Sequence, residues 1–561
     1  MVLVPDPKKV GCQTVINTGH RTQLSDHLFI LGAWAVVGLV LFVNLGAAPL
    51  TDLDEGAFSE ATREMMARGD FISPWLLDAP RFDKPVLIHW LQMAAFSVTG
   101  FTSYGARLPS ALMGLVWVGG IAGWAYLVAS RLVPHLRLQV YGWAVLIAGT
   151  CLGIPAMSRA ATADATLNAF LVLTLLCLWR ALWPSKQTES GRLWMRLAAV
   201  FVGLGLLTKG PIAILVPAAA SLIGAAACGT QVSKRWLRLA FDPVAWGIAL
   251  LIAAPWYLLQ FQAQGMAFVQ GFLGLHNLGR FTSTMHGFSA GPFYYPAWIL
   301  IATLPWTIPT LLTLLGVWGS GERGRLLRSP ELRMPWAVFV FVLVFFSFSA
   351  TKLPHYGFYG LSGLIVLISL LVACCASKWL HRLMLFSSAV ALSGLVGFLL
   401  IGEKLTLAGN LIKDPYYHAV MVVAFEQFSA EKLTFGAIVC SGLASILIGM
   451  RYYRAGLIGF VSLLSLTIYG FVVPKVMGTL RDPVVEIAQV SGSHPGRVVT
   501  WKLTIPSLSF YSHRVIRPGL PQKGDWVVLP SHLQENLGEE EQVTIKILFK
   551  QNGLTLAERI E

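Results

Sequence analysis

Acidic and basic side chains crowd one short polar segment, residues 49–85, which lies between two apolar stretches. Its charged members are Asp52, Asp54, Glu55, Glu60, Arg63, Glu64, Arg68, Asp70, Asp78, Arg81, Asp83 and Lys84. A carboxylate in restricted water can serve as a general base, because its surroundings raise its pKa. A lysine at the level of lipid headgroups can hold a phosphate as a point charge. The segment is therefore a candidate site for proton transfer beside an anionic group.

Asp54 and Glu55 are the candidate catalytic acids of this segment. They precede Gly56 to Arg68, a sequence that predicts an amphipathic helix ending near Gly69. Asp54 is the candidate general base; the alternative is that it caps this helix at its positive end, and the two roles are compatible. Phe82-Asp-Lys-Pro85 follows, in which Lys84 either grips a phosphate or anchors the chain at the membrane interface.

Two further charged residues lie at the ends of apolar runs. Asp164 closes Ser158-Arg-Ala-Ala-Thr-Ala-Asp, and an isolated acid there is costly unless it is paired or hydrated. We favour a functional role for Asp164 over a helix cap with Arg159 as neighbour. Lys209, in Thr208-Lys-Gly-Pro, is either a site residue or part of a turn between two membrane spans.

Two later loops supply the remaining candidates. Arg280 follows His276 in a loop that is otherwise poor in basic residues, which makes Arg280 a candidate phosphate ligand. His276 by itself is weak evidence for a catalytic role, because exposed or hydrogen-bonded histidines are more common than catalytic ones. Lys352, His355 and Tyr356 either line the same cavity or form an interfacial belt.

The composition shows which elements must position these residues. Of 561 residues, 55% are hydrophobic and only 12% are charged, whereas soluble domains carry roughly 25% charged residues. An ordinary soluble protein and a disordered chain are both excluded. The net charge is +14. The basic residues behind it lie in short loops between apolar runs, where they set the membrane topology and contact anionic lipid. No nucleic-acid partner is expected.

A span needs about 20 apolar residues, and thirteen runs meet this requirement closely enough to be predicted as spans. They are residues 27–48, 109–130, 138–157, 165–183, 193–208, 210–228, 243–260, 294–317, 334–350, 357–376, 383–401, 436–450 and 455–474. The run Val86–Thr99 is shorter and suits a helix lying in the interface. With this assignment basic residues fill alternate loops, as in Lys234, Arg235 and Arg238, and the N-terminal tail is cytoplasmic.

The predicted fold class is an all-α polytopic membrane protein with a small C-terminal α/β domain outside the cytoplasm. Residues 1–26 form the tail, residues 27–474 the transmembrane domain with catalytic external loops 49–108 and 261–293, and residues 475–561 the external domain. Strands are predicted from Arg497, Asp525 and Gln542, between Pro and Gly turns. None of the seven cysteines has metal-ligand spacing.

All the candidate residues fall on one predicted face of the membrane. Proton-transferring acids and phosphate-binding bases at that level point to group transfer from a phosphorylated lipid. Neither a Walker loop nor a Rossmann fingerprint occurs, so a soluble nucleotide donor is not supported. A flippase for a lipid-linked sugar is the alternative, but it predicts midplane charges and related halves. A non-catalytic scaffold is a third hypothesis.

Several short motifs between residues 30 and 370 carry a resemblance to a known family. They are Asp54-Glu55, Arg63-Glu-Met65, Gly69-Asp70, Phe82-Asp-Lys-Pro85, Arg107-Leu-Pro-Ser-Ala111, Arg159 to Asp164, Leu207-Thr-Lys-Gly210, Pro255-Trp256, Asn277 to Phe281, Leu304-Pro-Trp306 and Lys352-Leu-Pro-His-Tyr356. As a set they resemble the bacterial GT-C glycosyltransferases, which include the aminoarabinose transferases of lipid A and the protein O-mannosyltransferases.

The resemblance implies a GT-C fold and an inverting transfer of sugar from a polyprenyl-phosphate donor at the periplasmic face of the inner membrane. The acceptor would be lipid A, another glycolipid or a protein. Asp54 would act as base or orient the acceptor, Asp164 matches the acid of the second loop, and Lys84 and Arg280 would hold phosphate. Some relatives bind a divalent metal near these acids, for which Asp83 and His276 are the candidates. Phe58, Asp83 and His276-Asn277 depart from the aminoarabinose pattern.

Overall fold

The computed structural model describes residues 19–52, 54–184, 191–279, 282, 291, 293–316, 326–375, 378–409, 415–541 and 543–561. Within them the chain forms a large helical bundle followed by a small sheet. Apolar runs become helices because a helix satisfies every backbone polar group within one segment, which hydrocarbon demands.

Most of the candidate residues lie on the helices of the first half or in the loops beside them. They are α1 (Gly19–Phe42), α2 (Glu55–Arg68), α3 (Leu87–Thr99), α4 (Ser103–Leu132), α5 (Arg137–Thr150), α6 (Gly153–Ser158), α7 (Asp164–Leu182), α8 (Arg192–Lys209), α9 (Ile212–Ala227), α10 (Thr230–Ala240) and α11 (Pro243–Val269), which continues as a π-helix over Gln270–Gly279. A short antiparallel pair, β1 (Trp75–Leu76) with β2 (Ala79–Pro80), lies between α2 and α3.

The second half completes the bundle and the sheet. Its helices are α12 (Tyr294–Ala302), α13 (Thr307–Leu314), α14 (Pro330–Ser347), α15 (Leu361–Cys374), α16 (Lys378–Gly409), α17 (Pro415–Ser429), α18 (Lys432–Arg451), α19 (Tyr453–Ser465), α20 (Val473–Ser493), α21 (Pro506–Ser512) and α22 (Gln534–Glu541). A 3₁₀ turn, Pro354–Gly360, leads into α15, and a π-helix, Leu466–Val472, joins α19 to α20.

Nine helical segments of the described chain are long and apolar enough to cross a membrane, and each coincides with a predicted span. The other four predicted spans fall on shorter or broken helices: 138–157 on α5 and α6, 193–208 on α8, 210–228 on α9, and 294–317 on α12 and α13. The chain is thus an integral membrane protein, while the number of thirteen spans stays a prediction. The core of the bundle is built around Trp117, Trp124, Trp143, Trp179 and Trp306.

The helix predicted after Asp54 is α2, and it ends where Gly69 adopts a left-handed conformation, φ 65°. It is buried on more than one face, unlike the amphipathic helix that the sequence predicts. The hydroxyl of Thr62 bonds to His89 Nδ1 at 2.8 Å and donates to Gln92 Oε1 at 2.7 Å, which joins α2 to α3. This buried packing fixes the chain that begins at Asp54.

The C-terminal sheet has the order β4-β3-β5-β7-β6. Its strands are β3 (Val498–Thr500), β4 (Arg517–Pro518), β5 (Trp526–Pro530), β6 (Ile545–Gln551) and β7 (Leu554–Arg559). Strand β3 pairs in parallel with β4 and β5, whereas β7 pairs antiparallel with β5 and β6. The three predicted strands are confirmed as β3, β5 and β6. Helix α20 runs across the predicted boundary at residue 475, so that boundary stays a prediction.

Candidate active site

Asp54 lies immediately before α2 and keeps its carboxylate free of the helix end. Its side chain makes no capping hydrogen bond, contrary to the alternative considered from the sequence. Its carbonyl oxygen instead accepts the Phe58 N–H at 3.0 Å. The side chain is solvent-exposed, yet desolvation by the surrounding protein raises its pKa, and the nearby Asp164 carboxylate adds to this effect. Lys209, Arg81 and Lys84 oppose the shift.

Glu55, the next residue, is buried and fully engaged. Its oxygens accept from Arg107 Nε at 2.7 Å and Nη2 at 2.8 Å, and from the N–H groups of Thr51 at 3.0 Å and Ala161 at 2.9 Å. Burial opposes ionisation, but the Arg107 charge and these hydrogen bonds outweigh it and lower the pKa of Glu55. This geometry favours a positioning role for Glu55 over the catalytic role expected from the sequence.

Asp164, at the start of α7, is the centre of a buried polar cluster. Lys209 Nζ, from the last residue of α8, lies 2.6 Å from Asp164 Oδ1. Tyr359 accepts from Lys209 Nζ at 2.9 Å and approaches Asp164 at 3.5 Å, and His355 Nε2 lies 3.9 Å from the same carboxylate. Lys209 also lies 5.9 Å from the centre of the Tyr356 ring. The charged partner of Asp164 is therefore Lys209, whereas Arg159 donates to the carbonyls of Val40 and Val43 at 2.8 Å.

Asp83 and Lys84 form a second charged group with Arg81. Arg81 Nε lies 2.7 Å from Asp83, and Lys84 Nζ lies 3.7 Å from it. Burial works against ionisation of Asp83, but Arg81 and Lys84 outweigh burial and hold its pKa well below the usual range, with His276 contributing. All three side chains are largely buried. Arg81, Asp83 and Lys84 together carry a net positive charge, and this charge acts on the carboxylates of Asp54 and Asp164.

These two groups and Asp54 lie within electrostatic reach of one another. Asp54 interacts with Asp164, Lys209, Arg81 and Lys84, and Lys84 also interacts with Asp164. Their elements are the loop before α2, the loop before α3, the start of α7 and the end of α8. The convergence expected from the sequence is thus present for Asp54, Lys84, Asp164 and Lys209, with His355 and Tyr356 beside them.

Arg280 and Lys352 are the two remaining predicted substrate ligands. Arg280 lies outside the described residues. Lys352 donates from Nζ to the carbonyl of Ser349 at 3.0 Å, which is a local contact beside the 3₁₀ turn. Its role as a substrate ligand stays a prediction.

The described residues show no assembled site for a divalent metal. No group of three His, Cys, Asp or Glu side chains with metal-binding geometry occurs in the described part of the chain. Asp83 is already held by Arg81 and Lys84, and Asp164 is held by Lys209. A cation would have to displace buried positive side chains, which is unfavourable at these distances. We therefore derive no step through a metal at Asp83 or His276.

Sequence reasoning missed two residues of the site. Arg81 lies over the Phe58 ring at 4.6 Å and interacts with Asp54; its position three residues before Lys84 was the available signal. Tyr359 follows Tyr356 by three residues, and residues so spaced share a face of a 3₁₀ helix. The spacing of three residues between Tyr356 and Tyr359 was therefore the available signal that Tyr359 shares the site.

The arrangement is suited to proton acceptance next to an anion. Asp54 offers an accessible carboxylate with a raised pKa, and Arg81, Lys84 and Lys209 supply fixed positive charge around it. Charges fixed before the reaction stabilise negative charge that develops on a leaving group. Asp164 and Tyr359 hold Lys209 in place.

The chain matches one family model and is similar in sequence to known transferases. The family model described as dolichyl-phosphate-mannose-protein mannosyltransferase matches residues 83–258. The undecaprenyl phosphate-α-4-amino-4-deoxy-L-arabinose arabinosyl transferase 1 of Pseudomonas fluorescens strain Pf0-1 is 27% identical over 388 residues, covering 65% of this chain and 62% of that protein. The corresponding transferase of Serratia proteamaculans strain 568 is 26% identical, covering 68% of this chain and 66% of that protein.

The solved structure of ArnT from Cupriavidus metallidurans bound to undecaprenyl phosphate has a similar fold. Its TM-score is 0.72 at 19% identity, and the match covers 97% of this chain and 98% of that one. The sequence matches, by contrast, span just under two thirds of the first two relatives. The fold is thus shared with that structure over 97% of this chain.

Proposed function

We propose that this GT-C membrane protein, which is similar to the aminoarabinose transferases, moves a sugar from a polyprenyl-phosphate donor to an acceptor in the cell envelope. The proposal rests on the convergence of the accessible Asp54 carboxylate with Arg81 and Lys84 from the loop before α3 and with Lys209 from the end of α8. The names of the relatives and of the matching family model support a lipid-phosphate donor.

The proposed chemistry is a single displacement at the anomeric carbon. Asp54 takes the proton of the acceptor nucleophile as that atom bonds to the sugar carbon. The bond between this carbon and the phosphate oxygen breaks, and polyprenyl phosphate leaves with the electron pair. Lys84 and Arg81 stabilise the negative charge on the departing phosphate. One displacement inverts the configuration of the sugar.

Lys209 would contribute charge while its buried partners keep it in place. Asp164 lies 2.6 Å from its Nζ and Tyr359 lies 2.9 Å away. His355, 3.9 Å from Asp164, and Tyr356 would line the sugar-binding side. Arg280, assigned from the sequence, would add a further phosphate contact.

We propose that the site faces outward from the inner membrane of a bacterium, with the C-terminal domain, residues 475–561, on the same side. The proposed acceptor classes are a lipid such as lipid A and a protein. The name of the mannosyltransferase family model favours the protein class, and the resemblance of the sequence motifs to the aminoarabinose transferases of lipid A favours the lipid class. The sugar itself is left open, because Phe58, Asp83 and His276-Asn277 differ from the aminoarabinose pattern.

The test is release of polyprenyl phosphate by purified protein supplied with membrane lipid acceptors and a polyprenyl-phosphate sugar. We expect Asp54→Asn to abolish release while the protein stays folded. Asp482→Asn, an exposed acid on α20, is the matched control and should keep the wild-type rate. Full release by Asp54→Asn would defeat the assignment.

The same assay separates the flippase alternative. A flippase would move the donor across the bilayer without cleaving the bond between sugar and phosphate. The relatives are named as transferases, and in the described residues the acids of the site gather at helix ends, with Asp164 first in α7. Donor movement without cleavage would favour the flippase and contradict the transferase.

A further inference from the structure

A cavity lies between α7, α8, α9, α10 and α11, at the end of α7 and α8 opposite the candidate site. Its volume is about 130 Å³. Helix α7 begins at Asp164 in the candidate site and ends at Leu182 on this cavity. Helix α8 likewise ends at Lys209 in the site and begins near the cavity. The two sites are therefore separated by the length of these helices.

The wall of this cavity is almost wholly apolar. Its two hydroxyls are already used: Thr174 donates to Phe170 O at 2.8 Å, and Ser221 donates to Ala218 O at 3.2 Å. Ser221 also accepts from Trp236 Nε1 at 2.9 Å. A water needs roughly 10–15 Å³ and two or more polar partners, so the space is large enough for waters but offers them few hydrogen bonds. The cavity suits a hydrocarbon chain.

Helix α10 covers the cavity with one face and presents positive charge with the other. Its apolar residues Trp236 and Leu239 line the cavity. Its basic residues line an adjoining recess of about 400 Å³ and are Lys234, Arg235 and Arg238. Leu182 borders both spaces. Arg235 donates from Nε to Ala181 O at 2.9 Å, which fixes the helix against α7.

Trp246 marks the level of this cavity in the bilayer. It borders the cavity, is 46% exposed, and donates from Nε1 to Ala240 O at 2.8 Å. Tryptophan is enriched where the hydrocarbon meets the headgroups. The basic recess beside α10 thus lies at headgroup level, while the apolar cavity extends into the bilayer depth. Lys234 and Arg238 are both exposed on the surface of the protein.

We propose that this pair of spaces binds one anionic phospholipid. Its phosphate lies against Lys234 and Arg238, and one acyl chain enters the apolar cavity beneath α10. Charge complementarity selects an anionic headgroup over a zwitterionic one, because basic residues at a surface attract anionic lipid. The inference does not depend on the proposed function, since the donor site lies at the other end of α7 and α8.

The first test is native mass spectrometry of the full-length protein in detergent micelles. Phosphatidylglycerol and phosphatidylcholine of equal chain length are offered in turn. We expect selective retention of phosphatidylglycerol, and a loss of roughly 10- to 30-fold in its affinity in Lys234→Gln/Arg238→Gln. The matched control is Arg137→Gln/Arg451→Gln, which removes the same charge from two exposed residues outside both spaces. Equal retention of both lipids, or equal loss in the control, overturns the proposal.

A second test uses the wild-type protein and needs no variant. Phosphatidylglycerol with a photoactivatable group at mid-chain is cross-linked, and the labelled peptides are mapped. We expect labels concentrated on the cavity walls, on α8 around Ala198 and on α11 around Ala245. Labels spread evenly over the lipid-facing helices would show that α10 only lies on the membrane surface, and would contradict a bound lipid.

Discussion

Asp54 and Glu55 are neighbours in the sequence with opposite environments. Glu55 is buried against Arg107, 52 residues away along the chain, whereas the Asp54 carboxylate stays accessible. The sequence shows two adjacent acids but not the partner that occupies one of them. From the sequence, both acids are therefore catalytic candidates. Their roles differ because of long-range contacts that the sequence does not reveal.

The raised pKa of Asp54 predicts an acid limb in the pH profile of transfer. A general base works only when ionised, and desolvation with the Asp164 charge raises its pKa above 3.8. As pH falls, kcat/KM should therefore decline at a higher pH than for a solvated aspartate. The measurement is kcat/KM from about pH 4 to pH 8. Asp54→Asn should show no transfer anywhere in this range; transfer by Asp54→Asn with the same acid limb would assign the limb to another group.

Lys209→Met should lower both stability and activity. The substitution leaves the buried Asp164 carboxylate without the cation 2.6 Å away, and breaking a buried pair from one side costs about 3–5 kcal/mol. Denaturant unfolding in detergent measures this loss. The double variant Lys209→Met/Asp164→Asn should regain part of it, because neither charge is then buried alone. Strict additivity of the two substitutions would argue against the pair.

At the scale of elements, Glu55 and Arg107 connect α2, α4 and the end of α1. Arg107 donates to Glu55 and also to the carbonyls of Leu45, Ala48 and Pro49 at 2.6–3.0 Å. One guanidinium therefore fixes both the chain that leaves α1 and the helix that follows Asp54. The motif beginning at Arg107 was visible in the sequence, but its partners were not.

Arg107→Met should destabilise the protein by about 3–5 kcal/mol, because it leaves Glu55 as a buried unpaired charge. Arg107→Lys should recover only part of this, since lysine keeps the charge but cannot form the two-pronged contact. Thermal unfolding with intrinsic tryptophan fluorescence compares the two variants. Equal stability of Arg107→Met and wild type would show that the contact between Arg107 and Glu55 does not stabilise the fold.

The elements themselves were largely predictable, for reasons that differ along the chain. In hydrocarbon the backbone polar groups of a span must be satisfied within the segment, which requires a helix. Nine predicted spans accordingly coincide with helices of spanning length. Strands β3, β5 and β6 followed from β-branched runs between turns, whereas β4 is only two residues long and leaves little pattern. Helix α20 was not predicted, because its polar residues resemble those of the C-terminal sheet region rather than those of a membrane span.

At the scale of the whole molecule, the C-terminal part docks on the segment that carries Asp54. Asp52 pairs with Arg481 at 2.6 Å and accepts the Ser507 N–H at 2.9 Å. The Tyr511 hydroxyl accepts the Leu50 N–H at 2.7 Å. A Cβ on Gly56 would meet Ser507 N at 2.9 Å, so glycine permits this close approach. The docking fixes the chain on both sides of Asp54.

Arg481→Met should therefore lower the transfer rate while the helical bundle stays folded. The substitution leaves Asp52, buried and two residues before Asp54, without its cation. We expect a fall in kcat with unchanged far-ultraviolet circular dichroism. Arg497→Met is the control, because its pair with Asp525 at 3.4 Å is half-exposed and lies within the C-terminal part. Equal losses in both variants would show a general weakening of the C-terminal part.

The most direct test of the central claim is the affinity of the purified protein for polyprenyl phosphate. If residues from separate segments form one lipid-phosphate site around Lys84, Lys84→Met should weaken binding by about 10-fold or more, as expected for a lost charged hydrogen bond. Lys546→Met, an exposed residue of β6, should bind like wild type. Wild-type affinity in Lys84→Met, or an equal loss in Lys546→Met, would contradict the account.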